Sequence, residues 1–370
     1  MAISVWKMRE GTFPRQPGGR DGRFLSLSFP FPCPVTQEKY LTMSALRRPR
    51  IGTRAHVSSA SASSSSSSSS TGVCHRCRVS LSPPFASALH SRITRAGGRR
   101  CDVVAYRPAT LELGTNSVHG TTRMPLVIFA APLLATAMAA GNDILAMSTL
   151  TPPPSPTDPS ASRYCVTLSK LAERGYVVVA LDVWPAVIAP PPLWRVPALY
   201  EATRALVACA RAGALQDASS GEPLPFHREC DIFVAGHSLG GAAAVCCGRT
   251  TAGVSAVVAL HPTRCDPFCP PRPRHVPCPM LYVTGGSDWL VRAEVSRSMM
   301  TADDVEVHLV HAGHANMLGV TASVDGAHVD QAARDAIVTA RAKGSSRSQA
   351  SPSPELYAAL VDEYVRAYQS

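Results

Sequence analysis

From residue 103 onward the chain alternates between two kinds of hydrophobic pattern. Short, largely apolar runs recur at 103–106, 126–131, 176–181, 231–235, 254–260, 280–284 and 305–310. Runs of this length, rich in β-branched residues, predict short strands, several of them buried on both faces. Stretches with apolar residues every three or four positions separate them, at 160–174, 197–212, 241–249, 291–300, 330–343 and 354–368. These predict helices. Gly175 and Gly213 each follow one of them, where a residue of left-handed conformation ends a helix, and Pro197 stands in a first turn. Strands alternating with helices predict an α/β fold with a doubly wound, mostly parallel sheet covered on both faces. Such sheets bind ligands beyond the carboxyl ends of their strands. The proline-rich loops at 152–159 and 189–192 follow two of the strands at that end.

The first hundred residues break the pattern. They contain the unbroken serine run Ser63 to Ser70 and two arginine clusters, Arg47, Arg48, Arg50, Arg54 and Arg92, Arg95, Arg99, Arg100. Residues 1–100 hold 16 Lys and Arg against 3 Asp and Glu, and residues 101–370 hold 20 against 23. The basic charge of the chain therefore belongs to this segment. The near-neutral remainder offers no reason to expect a nucleic-acid face. We expect 1–100 to be a disordered tail, with 101–345 the folded α/β domain and 346–370 a linker and terminal helix. Arg-rich, Ser-rich and acid-poor is the composition of an organelle transit peptide. Met43 opens the part that fits best, because Glu10, Asp21 and Glu38 lie upstream of it. Cleavage is expected between residues 72 and 100, with a plastid favoured over a mitochondrion on the serine run, and the cytoplasm as the alternative. Cys74 and Cys77 form a lone C-x-x-C in this tail, weak evidence for zinc. Residues 124–141 carry no charge, but Pro125 and Pro132 interrupt them. A strand followed by a small-residue loop explains them better than a membrane span, and no transmembrane segment is expected.

The strongest chemical signal follows the run at 231–235. It leads directly into Gly236-His237-Ser238-Leu239-Gly240-Gly241 and then an alanine-rich helical stretch. This is G-x-S-x-G between a strand and a helix. The turn holds its serine in a strained conformation, and side chains at Gly236 or Gly240 would collide with adjoining backbone. A glycine-rich nucleotide-binding turn is the competing interpretation, but neither G-x-G-x-x-G nor a Walker pattern is present. GHSLGG in this context resembles the α/β-hydrolase superfamily over about residues 103–343. It looks most like the branch of dienelactone hydrolases, chlorophyllases and cutinase-like polyester hydrolases. That resemblance implies a triad in the chain order Ser, Asp, His, each on a loop after a strand.

The chemistry independently asks for such partners. A serine hydroxyl needs a hydrogen-bonded imidazole, and the imidazole needs an acceptor that fixes its tautomer. Asp288, in Gly285-Gly286-Ser287-Asp288 after the run at 280–284, matches the family's acid position; Asp266 is the alternative, and Asp182 lies before the serine in chain order. After the run at 305–310 come His311 and His314, and His314 matches the position of the base, with His311 as the alternative and His308 a packing residue. The backbone N–H of Leu239 is expected to serve an oxyanion hole. The second donor should follow the run at 126–131, where relatives carry His-Gly or Pro-Gly and this chain reads Ala130-Ala131-Pro132-Leu133. Pro132 has no N–H to give, which leaves Leu133. His237 is expected to pack beneath the elbow. Trp184, Trp194 and Trp289 are candidates for a pocket lining or plain packing.

The chain has 12 cysteines, and one proline-rich loop gathers His261, Cys265, Cys269, His275 and Cys278. A structural metal or a disulfide there is an alternative to unpaired thiols; no metal and no cofactor is expected. The resemblance implies a serine hydrolase of carboxylic esters acting on a small or lipid-like ester. Chlorophyllase-like, thioesterase or acyltransferase activity, or an inactive hydrolase fold serving as a scaffold, are the alternatives. Leu239 departs from the arginine that chlorophyllases carry after the nucleophile.

Overall fold

The computed structural model describes residues 74–108, 124–132, 164–185, 195–265, 278–318 and 326–369. In chain order they form β1 (Cys74–Leu81), α1 (Pro83–Arg95), β2 (Gly98–Pro108), β3 (Leu126–Ala130), α2 (Cys165–Glu173), β4 (Val177–Pro185), α3 (Arg195–Arg211) and β5 (Leu215–Asp217). Then come β6 (Ile232–His237), α4 (Leu239–Thr250), β7 (Ala256–Leu260), β8 (Met280–Gly285), α5 (Ala293–Arg297), β9 (Val305–Leu309), a 3₁₀ turn (Asn316–Leu318), α6 (Gly326–Lys343), β10 (Ser345–Ser348) and α7 (Pro354–Gln369).

The strands join in one sheet with the order β10-β9-β8-β7-β6-β3-β4-β2-β1-β5. From β10 to β4 every neighbouring pair is parallel, whereas β2 runs antiparallel to β4, β1 to β2 and β5 to β1. The continuous apolar runs are explained by this placement. β3 and β6 lie in mid-sheet, and alternate residues face different layers. Leu126, Ile128, Ile232 and Val234 pack with Leu89 and Ile93 of α1, Leu199 and Leu206 of α3 and Val245 of α4. Val127, Phe129 and Phe233 face the other way, toward Leu168 and Leu171 of α2, Ile337 of α6 and Leu360 and Val361 of α7.

Two expectations are corrected at the ends of the described chain. Residues 74–100 are not part of a disordered tail. β1 pairs with β2 through Cys74 to Arg78, and α1 buries Leu89 and Ile93. Phe85, Leu89 and Ile93 do repeat at helical spacing, with Pro83 and Pro84 in the first turn. The arginine and serine content around them hid one narrow apolar stripe. Cys74 and Cys77 accordingly lie on a strand. A cut between residues 74 and 97 would remove part or all of that strand and helix. Residues 1–73, which carry the rest of that expectation, lie outside the described residues. At the other end, the expected terminal helix is present over Pro354–Gln369, but the residues before it are not simply a linker. Ser345–Ser348 forms β10 on the edge of the sheet, and α7 buries Tyr357, Leu360, Val361 and Tyr364. β10 has no apolar residue because it forms through backbone pairing to β9. Asp362 ties α7 to the loop after α2, accepting hydrogen bonds from Arg174 Nη1 (2.9 Å) and from the Tyr176 hydroxyl (2.8 Å).

Deleting residues 74–97 should therefore strip β2 of its outer partner and uncover the α1 contact. We expect loss of soluble, cooperatively melting protein. Ile93→Ala alone should cost about 2–5 kcal/mol in urea unfolding.

Candidate active site

The chemistry gathers where the parallel strands end. β6 stops at His237 and α4 starts at Leu239, so Ser238 alone makes the turn, with φ 55° and ψ −118°. A non-glycine residue with positive φ costs of order 1–3 kcal/mol and persists only where its surroundings impose it. Here the surroundings are visible. Ser238 N–H donates to Leu260 O (2.9 Å), and Ser238 O accepts from Thr263 N–H (3.1 Å) and Ala242 N–H (3.0 Å). The glycines make the turn possible. A Cβ on Gly240 would lie 2.0 Å from Ala130 O, and one on Gly236 would lie 2.3 Å from Gly240 O. Both contacts are with backbone, which cannot move aside without opening the sheet.

Asp288 follows β8 and His314 follows β9, as their loops predict. Asp288 Oδ2 accepts a hydrogen bond from His314 Nδ1 at 2.9 Å, and both side chains are almost fully buried. An ionised carboxylate only accepts, so Nδ1 carries the hydrogen and Nε2 of His314 keeps its lone pair. Asp288 Oδ1 accepts the N–H groups of Leu290 (3.0 Å) and Val291 (2.8 Å). Burial alone would raise this carboxyl, but the bonds from His261 and His314 hold it well below the usual carboxylate range. The double glycine before it permits the approach of neighbouring backbone: a Cβ on Gly285 would lie 2.2 Å from Ala312 O, and one on Gly286 2.3 Å from Val310 O. Asn316 Oδ1 accepts from Gly313 N–H and closes the His314 loop. His311 is exposed and takes no part, and His308 sits within β9, 2.9 Å from Thr284 Oγ1.

Two further histidines enter the site. His237 packs beneath the elbow, as its position suggests, and also ties the loops together. Its Nε2 lies 2.9 Å from the His314 carbonyl oxygen, so Nε2–H donates and Nδ1 accepts from the Tyr164 hydroxyl (2.8 Å). The larger surprise is His261. In the sequence it stands in one loop with Cys265, Cys269, His275 and Cys278, a pattern that suggests a metal or disulfide loop. Instead its Nδ1 lies 2.9 Å from Asp288 Oδ2, and its Nε2 lies 2.7 Å from the Tyr357 hydroxyl. Cys265 is buried against Met299, Cys278 is buried, and Cys269 and His275 lie outside the described residues. The missed signal was positional: His261 directly follows β7, at the same sheet edge as Ser238, Asp288 and His314.

His261, Asp288 and His314 bring three potential ligand atoms within 4.8 Å of one another. Both imidazole Nδ1 atoms lie 2.9 Å from the same carboxylate oxygen, the length of hydrogen bonds made directly between the side chains. The remaining carboxylate oxygen and the far side of His261 are already engaged, so the donor set fits a hydrogen-bond hub.

Leu239 is the first residue of α4, and its N–H has no carbonyl to bond within the helix. After β3, the Ala131 N–H is already donated to Leu181 O (2.9 Å), and Pro132 has none. Leu133, the expected second donor, lies outside the described residues, as do Asp266 and Trp194. Trp289, beside Asp288, is 67% exposed and stands next to Leu290, also exposed. Among the described residues no helix is long and apolar enough to cross a membrane.

This strand order, with the serine turn after a central strand, the carboxylate after β8 and the histidine after β9, is that of the α/β-hydrolase fold. Neither a protein-family model nor a curated protein matches the sequence. Among solved structures the chain is similar to a protein assigned as a dienelactone hydrolase from Klebsiella pneumoniae subsp. pneumoniae, with 14% identity and a TM-score of 0.42, over 73% of this chain and 99% of that one. It is also similar to Est1E from Butyrivibrio proteoclasticus, with 16% identity and a TM-score of 0.36, over 58% of this chain and 86% of that one.

Two outcomes follow from the site's construction. Gly240→Ala should give little soluble protein, because its Cβ meets a fixed carbonyl; soluble yield and circular dichroism would show it. His237 and His261 should make the fold acid-labile. Burial, with the neighbouring imidazoles, holds His237 far below the usual histidine range, and burial also lowers His261 despite the pull of Asp288. Both stay neutral in the fold, whereas the unfolded chain takes up protons near pH 6.5. Their stabilising contribution is present above that pH and lost as pH falls below it. Melting temperature should drop between pH 8 and pH 5, and less steeply in His237→Gln, which does not titrate.

Proposed function

We propose that this protein is a serine hydrolase of carboxylic esters. The observation that carries the proposal is the pairing of a strained serine turn with a histidine whose Nδ1 is anchored on a buried carboxylate. Ser238 Oγ attacks the ester carbonyl while His314 Nε2 takes its proton. The carbonyl oxygen becomes an oxyanion, held by the Leu239 N–H and by a second N–H beyond Pro132, for which Leu133 is the candidate. Collapse of the tetrahedral adduct expels the alcohol, which receives the proton from His314, and leaves an acyl-serine. Water, activated by the same imidazole, releases the acid and restores the serine. Asp288 holds the tautomer throughout and balances the imidazolium that forms. For localisation we propose that the segment ahead of β1 carries an organelle address, a plastid before a mitochondrion, readable by fusing residues 43–73 to a reporter.

A panel of p-nitrophenyl esters of increasing chain length tests the activity, with a fluorophosphonate label located by mass spectrometry. Ser238→Ala should lose both labelling and turnover, by up to about 10⁶ in kcat, while still folding. Asp288→Asn should lose about 10⁴. A Ser238→Ala protein that hydrolyses the esters at the original rate would refute the proposal.

A further inference from the structure

Asp288 Oδ2 is approached by two imidazoles at the same 2.9 Å distance, and a triad uses one of them. The far nitrogens tell them apart. His261 Nε2 accepts from the Tyr357 hydroxyl of α7, so His261 cannot also take a proton from a serine. Its side chain is completely buried and its backbone is held at φ 46°. His261 and Ser238 are the two non-glycine residues of positive φ among the described residues. Gly285 clears space for the ring, since a Cβ there would come within 2.6 Å of His261 Cε1. An apolar residue could fill this volume. A group that donates at one end and accepts at the other is needed only to connect Tyr357 to Asp288.

We propose that His261 is a positioning residue of the ester hydrolysis: with Tyr357 it forms a second hydrogen-bond relay on Asp288, opposed to His314, that sets how much carboxylate charge reaches the base. The proposal rests on the assignment of Ser238, Asp288 and His314 as the triad. With Leu290 and Val291 on Oδ1, the carboxylate accepts four N–H groups. Each donor draws on the same charge. Taking the His261 donor away leaves more of it for the imidazolium of His314, so the protonated, inactive form persists to higher pH. The titratable groups facing His314 are Asp288, His237 and His261; Tyr164 stands behind His237, and Tyr357 and His308 stand near His261. Among these, the exchange at Oδ2 is the change His261→Phe makes.

The test uses the full chain and p-nitrophenyl butyrate. Above the acid limb His261→Phe should change kcat by less than about tenfold, with KM little changed, because the carboxylate still balances the imidazolium. The acid limb of kcat/KM should move up by about one pH unit or less. His261→Gln, which restores an N–H donor, should return the limb toward its original position. Tyr357→Phe should shift it the same way by less, and the double variant should be non-additive. Proton NMR reads the relay without turnover. The unsubstituted protein should show two far-downfield imidazole N–H signals; Asp288→Asn loses both, whereas His261→Phe and His261→Gln lose the His261 signal and His261→Phe also shifts that of His314. A protein that takes the fluorophosphonate label, but whose acid limb and His314 N–H signal are unmoved in all three variants, overturns the relay and leaves the triad standing. A protein with both signals but no label at Ser238 overturns the triad instead.

Discussion

A carboxylate enclosed in protein keeps its charge only if donors replace the water it has lost. Asp288 meets that demand with donors from three directions: the backbone of its own loop at Leu290 and Val291, the loop after β7 through His261, and the loop after β9 through His314. Every strand end that matters to the proposed reaction is thereby referred to one pair of oxygen atoms. The elbow joins the same assembly through its backbone, because Ser238 O and N–H are held by residues 260 and 263 on either side of His261. Satisfying the charge and aligning the reactive groups are one structural problem here, with one solution.

Space is the second constraint, and it runs outward from the same point. Gly236, Gly240, Gly285 and Gly286 stand where a methyl group would overlap a backbone carbonyl of an adjoining strand, loop or helix start. They let the ends of β3, β6, β8 and β9 crowd together. The two layers of apolar residues behind them keep that crowding rigid. His237 shows how polar groups survive in such a place: both ring nitrogens are bonded, one to Tyr164 and one to the His314 carbonyl.

The legible part of the sequence was the part whose information is local. The buried runs of β3, β4 and β6 to β9, the glycine spacing of the elbow, and an aspartate and a histidine after successive strands are all visible within a few residues. β10, reading Ser-Ser-Arg-Ser, has no local signature because a neighbour's backbone imposes it. β1 and α1 were obscured by the basic, serine-rich composition around a thin apolar stripe. His261 was misgrouped for a related reason. Nearby cysteines suggested a ligand loop, whereas its true partners lie 27 and 96 residues away, at Asp288 and Tyr357. Contacts of that range exist only once the sheet has ordered its strands.

The position of Tyr357 also bears on when the molecule becomes competent. A polypeptide is made from its amino end, and its early portions can begin to order while later ones are still being added. Ser238, His261, Asp288 and His314 all precede Tyr357, so a nascent chain can hold the whole nucleophilic apparatus before α7 exists to cap it. Until residue 357 has been synthesised and docked, His261 Nε2 lacks its hydroxyl partner. Maturation of the site is thus tied to completion of the fold, and a ribosome-bound or prematurely terminated chain would carry the serine without its finished surroundings.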